Sequence, residues 1–258
     1  MELTEDALLG GRLRIRQPVK GLRAGLDALL LAAAVPLTGT QPARLLDAGA
    51  GSGVVGIAVA TAAPEIHVTA VEIDRELSAL SMENAARNGM AGRFRAIAAD
   101  LTQPMRELEA LGLAAESFDL VVTNPPFQRN GEGRPSPEPR RQQADVMAAG
   151  GLERWARALA ALTRPGGMLA MIHRADALAD VLAALAGRFG ALAVLPVHPR
   201  AGSAATRVLI QGVKGSRAPL ALRPAFVLHA LDGTYLPEAD AILRGVQRLS
   251  LSDRPAKA

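Results

Sequence analysis

The sequence contains no cysteine and few aromatic residues, which make up 3% of its 258 residues. Without cysteine the chain can form neither a disulfide nor a thiolate metal site, and it cannot use a cysteine nucleophile. Its four histidines, His67, His173, His198 and His229, are widely separated and include no pair at ligand spacing. We therefore predict no metal site.

Long hydrophobic runs are also missing. The longest, ALLLAAAVPL at residues 28–37, is about half of the roughly 20 residues that a membrane-spanning helix needs. The first ten residues carry two glutamates and one aspartate instead of the basic and apolar regions of a secretory signal. We therefore expect no membrane span and a cytoplasmic location.

Lysine is rare as well, since Lys20, Lys214 and Lys257 are the only three. The net charge of +4 and the sequence pI of about 10.2 therefore come almost entirely from arginine. A basic chain suits an anionic partner such as RNA. Arginine richness can equally reflect genomic base composition, so the charge alone leaves the partner open.

Short apolar runs alternate with helical patterns and turn signals from about residue 43 to residue 213. This alternation is typical of βα units around a largely parallel sheet, and it predicts an α/β fold with helices on both faces. The seven predicted strands lie near residues 44–48, 66–72, 93–98, 118–123, 168–173, 191–197 and 205–213. The last two are joined by HPRAGSAAT, which is too short for a crossover helix, so they should form an antiparallel hairpin that closes the sheet.

Three helices are predicted between these strands. GIAVATAA stops at Pro64, RELSALSMENAARNG ends at a Gly89 cap, and LERWARALAALTRPGG ends in a turn at residues 165–167. The segment QRNGEGRPSPEPRRQQAD, residues 128–145, is polar and rich in proline and glycine, so it is predicted to be a loop.

The flanks of this core carry further patterns. Upstream, GGRLRIRQ alternates like a short strand, and LDALLLAAAV reads as a helix with Asp27 near its start. Downstream, RPAFVLHALDGTYLPEADAILRG predicts a strand, a turn at residues 232–233 and a short helix. We predict one domain over residues 1–258, with a core at 43–213 between extensions at 1–42 and 214–258.

A glycine-rich turn follows the first predicted strand, in LLDAGAGSGVVGIAVA. Gly49, Gly51 and Gly53 allow the backbone to pass close to a ligand before the next helix begins. A tight turn without a ligand is the alternative. Asp47 refines the prediction, because a carboxylate here would repel a pyrophosphate but would accept a hydrogen bond from the ammonium of an amino-acid moiety.

Two further acids close the next two predicted strands. Glu72, in HVTAVEID, follows Gly53 by 19 residues and lies where an acid binds both ribose hydroxyls in a doubly wound sheet. Asp100, in FRAIAADL, is placed to accept from an adenine amino group. A solvated carboxylate and a helix cap are the respective alternatives. Three acids at the ends of three successive strands, with glycines after the first, indicate a nucleoside-binding site.

The fourth predicted strand runs into Asn124, Pro125, Pro126 and Phe127. Neither proline can donate a backbone hydrogen bond, and Pro125 biases Asn124 toward an extended conformation. The backbone at this point is therefore stiff. By itself, the stretch is also consistent with a loop stop and an ordinary buried ring at Phe127.

The motifs DAGAGSG, VEID, AADL and NPPF, in this order at strand ends, resemble those of the Rossmann-like S-adenosylmethionine-dependent methyltransferases of amino groups. The resemblance covers most of residues 44–213 and implies a Rossmann-like, seven-stranded, mostly parallel sheet. It also implies that S-adenosyl-L-methionine binds here and leaves as S-adenosyl-L-homocysteine. The cofactor-binding residues that it implies are Asp47, Gly49, Ala50, Gly51, Gly53, Glu72, Ile73, Asp100, Leu101 and Asn124.

The same resemblance implies a catalytic role for residues 124–127. An exocyclic amine is a poor nucleophile because its lone pair is delocalised, and acceptors on both N–H bonds can pyramidalise the nitrogen and direct that lone pair at the methyl group. The implied acceptors are the Asn124 side-chain oxygen and the Pro125 carbonyl, held by the stiff dipeptide with Pro126. Phe127 would stack on the flat target.

Within that group, two flanking segments are similar to the bacterial valine-tRNA adenine-N6 methyltransferases, which act on an anticodon-loop adenine. LRAGLDALLLAAAV matches their opening segment through Gly25 and Asp27, which join the predicted cofactor-binding set, and LHALDGTYLPEADAILRG matches their carboxyl-terminal segment. The resemblance implies RNA, and tRNA in particular, as the partner. The predicted phosphate contacts are Arg129, Arg134, Arg140 and Arg141, and the alternative is that these arginines only keep the loop soluble.

Other functions stay open at this point. The same motif serves guanine-N2 methylation of ribosomal RNA and glutamine-N5 methylation of release factors, although the protein-modifying enzymes usually carry tyrosine at the position of Phe127. A cofactor-binding or RNA-binding module without catalysis is an alternative of another class, disfavoured by the intact acids and Asn124. A nicotinamide dehydrogenase is disfavoured by Asp47 and the two prolines.

Overall fold

The structure is a computed structural model that describes residues 1–20, 23–37, 43–125, 128–129, 146–147 and 150–251. Its strands are β1 (Leu3–Leu8), β2 (Leu13–Pro18), β3 (Arg44–Ala48), β4 (His67–Glu72), β5 (Phe94–Ala98), β6 (Phe118–Thr123), β7 (Gln128–Arg129), β8 (Val146–Met147), β9 (Thr163–Arg174), β10 (Phe189–Arg200), β11 (Arg207–Lys214), β12 (Ala221–Leu222) and β13 (Phe226–His229). Its helices are α1 (Leu26–Ala34), α2 (Val54–Ala62), α3 (Arg75–Arg87), α4 (Met105–Ala110), α5 (Gly151–Leu162), α6 (Leu178–Leu185) and α7 (Pro237–Leu243).

The main sheet has nine strands in the order β12-β10-β11-β9-β6-β3-β4-β5, with β13 also paired to β10. β3 is parallel to β4 and β6, β4 to β5, and β6 to β9. β11 is antiparallel to both β9 and β10. The predicted α/β fold is therefore confirmed: the seven predicted strands, the mostly parallel sheet and the antiparallel hairpin are present, and β12 and β13 bring the sheet to nine strands.

The hairpin does not close the sheet as predicted. β12 and β13 pair in parallel with the outer edge of β10, so they and not the hairpin form that end of the sheet. β9 also begins earlier than predicted, at Thr163. Phe118 pairs with Thr163 and Leu120 with Met168, so the predicted turn at residues 165–167 is an irregularity inside the strand.

Two apolar cores cover the two faces of the sheet. Consecutive strand residues point to opposite faces, so Leu45 of β3 packs into the core with α1, α2 and α7, whereas Leu46 packs into the core with α4, α5 and α6. α1 is buried from Ala28 to its end at Ala34. No helix in the described ranges combines the length and apolarity that a bilayer span requires.

The β1–β2 hairpin packs on α3 through two asparagines one helical turn apart. The Asn84 amide accepts from the Arg16 N–H at 2.8 Å and donates to the Arg16 carbonyl at 2.9 Å. The Asn88 amide makes the same pair of bonds to Arg14, at 3.1 and 2.9 Å. Asn84 is fully buried and also donates to the Ser52 carbonyl in the glycine turn, at 3.0 Å. It therefore joins the hairpin to the predicted site.

The two asparagines give a matched pair of variants. Asn84→Ala should lower the free energy of unfolding by about 3 kcal/mol, because it leaves buried backbone groups without partners, whereas Asn88→Ala should lower it by about 1 kcal/mol because water can replace its bonds. Urea denaturation of the two variants measures both values. Equal losses would show that burial does not set the strength of this contact.

Candidate active site

The carboxyl ends of the parallel strands bring the predicted motifs to one edge of the sheet. Ala48 at the end of β3 is in register with Val71 of β4 and with Thr123 of β6. The glycine turn after β3, Glu72 at the end of β4, and Asn124 after β6 therefore leave the sheet side by side. Asp100 follows β5, the next strand in the sheet.

Backbone hydrogen bonds fix the glycine turn. The N–H groups of Gly49 and Ala50 both donate to the Val71 carbonyl, at 2.9 and 3.0 Å. Gly53, the residue before α2, has a φ of 84°, and a Cβ built on it would lie 2.9 Å from the Cβ of Ser81. A Cβ built on Gly51 would contact no atom of the described residues within 4 Å. Packing thus requires glycine at Gly53, whereas Gly51 leaves its backbone open to a ligand.

Asp47 lies beneath this turn and is almost fully buried. Its Oδ2 accepts a hydrogen bond from the Gly56 N–H at 2.8 Å. Burial, opposed by the Gly56 hydrogen bond and assisted by the nearby charge of Glu72, raises the pKa of Asp47 to about 7. A ligand cation close to Asp47 would favour the ionised form and lower this pKa.

Glu72 fastens the turn to the end of β4. Its Oε2 accepts from the Gly51 N–H at 2.8 Å, and its Oε1 accepts from the Asp74 N–H at 3.0 Å. Each carboxylate oxygen has a second lone pair, so Glu72 can still accept from two ligand hydroxyls. The next residue, Ile73, is 65% exposed and offers an apolar side chain beside that carboxylate.

Asp100 is exposed two residues after the end of β5, and its neighbour Leu101 is buried. Its Oδ1 accepts from both the N–H and the hydroxyl of Thr102, each at 2.8 Å. α4 starts only at Met105, with Pro104 as the residue before it. Asp100 therefore holds a tight turn and does not cap α4, and both of its bonds use the same carboxylate oxygen.

Asn124 presents a buried acceptor at this edge. Its Oδ1 is shielded from water, and no hydrogen-bond donor among the described residues pairs with it. The preceding Thr123 is buried and donates to the Ala48 carbonyl at 2.9 Å, which ties β6 to β3 directly beside Asn124. Pro125 is also buried. The predicted site residues Pro126 and Phe127 lie outside the described residues.

Trp155 of α5 belongs to the same group of residues, although no sequence motif predicted it. Its indole N–H donates to the Thr123 hydroxyl at 3.0 Å. A Cβ built on Gly49 would lie 3.5 Å from Cζ2 of its ring. Trp155 therefore supports both the end of β6 and the glycine turn. Its one sequence signal is that it is the only tryptophan of the chain.

Gly25 and Asp27 lie at the start of α1, where Gly25 precedes the first turn. Asp27 forms an ion pair with Arg207, at 2.8 Å. Arg207 is in register with Arg174 at the carboxyl end of β9, so this pair lies at the same edge as the glycine turn. The Asp27 carboxylate therefore already has one cationic partner, Arg207.

The arginines predicted to bind RNA are largely beyond the described part of the chain. Arg129 pairs with Met147 through the short strands β7 and β8. Arg134, Arg140 and Arg141 lie outside the described residues. Within the described ranges, no group of three or more histidine, aspartate or glutamate side chains is arranged to hold a metal.

Comparison with known proteins agrees with this geometry. The family model of the methyltransferase small domain matches residues 25–137. The tRNA1(Val) (adenine(37)-N6)-methyltransferase of Aeromonas hydrophila is 30% identical over 221 residues, which are 83% of this chain and 85% of that protein. The enzyme of the same name from Klebsiella pneumoniae is 34% identical over 124 residues, 48% of this chain and 46% of the relative.

A solved structure is also similar over nearly its whole length. It is described as a predicted O-methyltransferase from Agrobacterium tumefaciens. It has a TM-score of 0.73 and 29% sequence identity, and the match covers 87% of this chain and 98% of that one.

The buried Asp47 should make stability depend on pH. The folded chain keeps the Asp47 proton up to about pH 7, whereas the unfolded chain releases it near the ordinary value of 3.8. As pH rises between these values, the free energy of unfolding should fall by about 1.4 kcal/mol per pH unit. Above pH 7 the contribution of Asp47 should no longer change with pH. Asp47→Asn keeps an acceptor for the Gly56 N–H and should remove that slope.

Urea denaturation of the wild type and Asp47→Asn at several pH values tests this expectation, because the slopes of all other groups cancel in the difference. The variant should be the more stable of the two above pH 7. Parallel curves for the two proteins would contradict the assignment.

Proposed function

We infer the substrate from the family to which this chain belongs, the methyltransferase small-domain family. The chain is an S-adenosylmethionine-dependent methyltransferase, and we propose that it methylates the N6 amino group of an adenine in tRNA. The relative from Aeromonas hydrophila, which is aligned over 85% of its length, is named for that reaction. The predicted cytoplasmic location is part of the same proposal.

The observation that carries this proposal is the buried Oδ1 of Asn124, which has no donor among the described residues. Leaving a buried acceptor without a donor costs about 1–3 kcal/mol, so native structures seldom tolerate it without a reason. An incoming amino group supplies the missing donor. The atom lies beside the end of β3, because Thr123 is bonded to the Ala48 carbonyl at 2.9 Å.

The proposed roles follow from hydrogen-bond chemistry. S-adenosylmethionine supplies an electrophilic methyl group on a sulfonium. Asn124 Oδ1 and the Pro125 carbonyl accept from the two N–H bonds of the amino group and so orient its lone pair. Phe127 stacks on the base, and Pro126 restrains the turn. No strong general base is needed, because the methylated ammonium loses its proton readily to water.

We assign the cofactor to the remaining residues of the edge. Support comes from the backbone at Gly51, where an added Cβ would contact nothing within 4 Å in the described part of the chain. Asp47 would face the amino-acid end, Glu72 the ribose hydroxyls, and Ile73 and Asp100 the adenine. The full proposed set is Gly25, Asp27, Asp47, Gly49, Ala50, Gly51, Gly53, Glu72, Ile73, Asp100, Leu101 and Asn124.

The whole chain is proposed to act as one methyltransferase domain. The asparagine contacts between α3 and the β1–β2 hairpin support this, as does the Leu249 N–H, which donates to the Ala33 carbonyl at the end of α1, at 3.1 Å. Arg129, Arg134, Arg140 and Arg141 are proposed to contact phosphates of the RNA.

A hydroxyl acceptor is the second candidate, since the similar solved structure is described as a predicted O-methyltransferase. A hydroxyl must lose its proton to a base as it attacks. Asp47 is the acid at this edge whose pKa is raised to about 7, but its side chain is buried and bonded to the Gly56 N–H. The buried Oδ1 of Asn124 and the Pro125 carbonyl are two acceptors, which match the two N–H bonds of an amino group better than the single O–H bond of a hydroxyl.

The Asn124 assignment predicts a separation between turnover and binding. Asn124→Ala should lower kcat by about 100-fold or more, the usual effect of losing one preorganised hydrogen bond at a reacting centre. The affinity for S-adenosylhomocysteine should stay within about threefold, a change of under 1 kcal/mol. Glu72→Ala should have the opposite effect, because the affinity for S-adenosylhomocysteine should fall before kcat does. Unchanged turnover in Asn124→Ala would reject the role of the amide.

The substrate proposal is tested by transfer of labelled methyl from S-adenosylmethionine to separate unmodified pools of tRNA, ribosomal RNA and release-factor protein. Nucleoside analysis should find the label as N6-methyladenosine in tRNA. Label confined to ribosomal RNA or to protein would retain the chemistry of Asn124 and reject tRNA. Label on a hydroxyl would support the second candidate.

A further inference from the structure

The carboxyl edge extends beyond β9 to a surface on the far side of the hairpin from the cofactor. We name it the β10–β13 rim and define it by Arg200, His229 and Tyr235. Arg207 is in register with both Arg174 and Val197, so the carboxyl end of β10 lies at the same edge as that of β9. β13 runs parallel to β10, with His229 beside Arg200.

The rim carries a stacked pair of rings. His229 and Tyr235 have ring centroids 4.5 Å apart and planes inclined by 27°. The His229 Nδ1 is 3.0 Å from the Pro199 carbonyl, which fixes the lower ring on β10. Tyr235 is 43% exposed, so its ring is supported on one side by His229 and offers area to solvent. Tyr235 is also the only tyrosine of the chain.

The backbone beneath these rings is closed by hydrogen bonds. His229 and Tyr235 form an antiparallel bridge. The Ala230 N–H donates to the Thr234 carbonyl at 2.9 Å, and the Leu236 N–H donates to the Leu228 carbonyl at 2.9 Å. The platform is therefore ordered before any partner arrives, which reduces the entropy that binding would cost.

Arg200 supplies positive charge next to the platform. Its Nη2 lies 3.9 Å from the position that a Cβ on Gly233 would take, in the turn that leads to Tyr235. Arg200 is exposed and has no carboxylate partner among the described residues, whereas Arg174 at the end of β9 is paired with Asp176. The carboxylate of this turn, Asp232, accepts from the Thr234 N–H and hydroxyl at 2.9 and 2.7 Å.

We propose that the β10–β13 rim binds an unpaired nucleotide of the RNA substrate, with its base stacked on Tyr235 and a phosphate on Arg200. Proteins that bind single-stranded nucleic acids combine aromatic rings for base stacking with positive charge for the backbone, and Tyr235 and Arg200 supply one of each. Four strand spacings separate β6 from β13, or about 19 Å at about 4.8 Å each. The rim would thus hold nucleotides that flank the target. This inference rests on the proposed RNA substrate.

The test measures binding of an unmodified valine tRNA transcript by fluorescence anisotropy, with S-adenosylhomocysteine present, over a series of salt concentrations. Tyr235→Ala should weaken binding about 10-fold without changing the salt dependence, and Tyr235→Phe should stay within about twofold because the ring is kept. Arg200→Gln should make the slope of log K against log salt shallower by about 0.7, the effect of one lost phosphate contact to a single strand.

Arg217→Gln is the matched control. Arg217 is also an exposed arginine, but it follows β11 at the opposite edge of the sheet, so both affinity and slope should equal those of the wild type. Unchanged affinity for S-adenosylhomocysteine would verify folding in every variant. If the wild type binds and methylates tRNA while Tyr235→Ala and Arg200→Gln bind it equally well, the proposed role of the rim is wrong and the proposed function stands. If the wild type binds no RNA, both proposals are wrong.

Discussion

The parallel register of β3 with β4 and β6 is the constraint on which the whole site depends. It sets Ala48, Val71 and Thr123 side by side, so three chain segments leave the sheet at one place. A one-residue slip of β3 would exchange its two faces and turn Leu46 and Asp47 toward the wrong cores. The apolar packing on both faces therefore fixes the geometry of the polar residues at the edge.

Hydrogen bonds between strand ends make this edge stiff. Thr123 joins β6 to β3, Trp155 supports Thr123, and Glu72 holds the Gly51 N–H. Within the described residues around this edge, the buried acceptor that stays unpaired is Asn124 Oδ1. Rigid surroundings matter, because a mobile Asn124 side chain could turn and pair with a neighbouring donor. The site would then lose the preorganised acceptor that orients an amine.

Local sequence patterns predicted the parts of the molecule that local physics determines. Buried parallel strands appear as continuous apolar runs, so all seven central strands were found. β1 was missed because LTEDAL carries Glu5 and Asp6, whose charges are paired with arginines from elsewhere in the chain, such as Arg23 with Asp6 at 2.6 Å. The Asp27–Arg207 pair joins residues 180 positions apart, and sequence-spacing rules relate only residues that are close along the chain. The raised pKa of Asp47 likewise depends on burial that only the folded sheet creates.

The asparagine contacts of α3 also affect how the molecule meets other proteins. A two-stranded hairpin at the surface normally presents an outer row of unpaired backbone groups, onto which a strand from another molecule can add. In β2 the outward groups of Arg14 and Arg16 are already bonded to Asn88 and Asn84. The helix thus occupies the place of a third strand, and this edge of the protein is closed to intermolecular sheet growth.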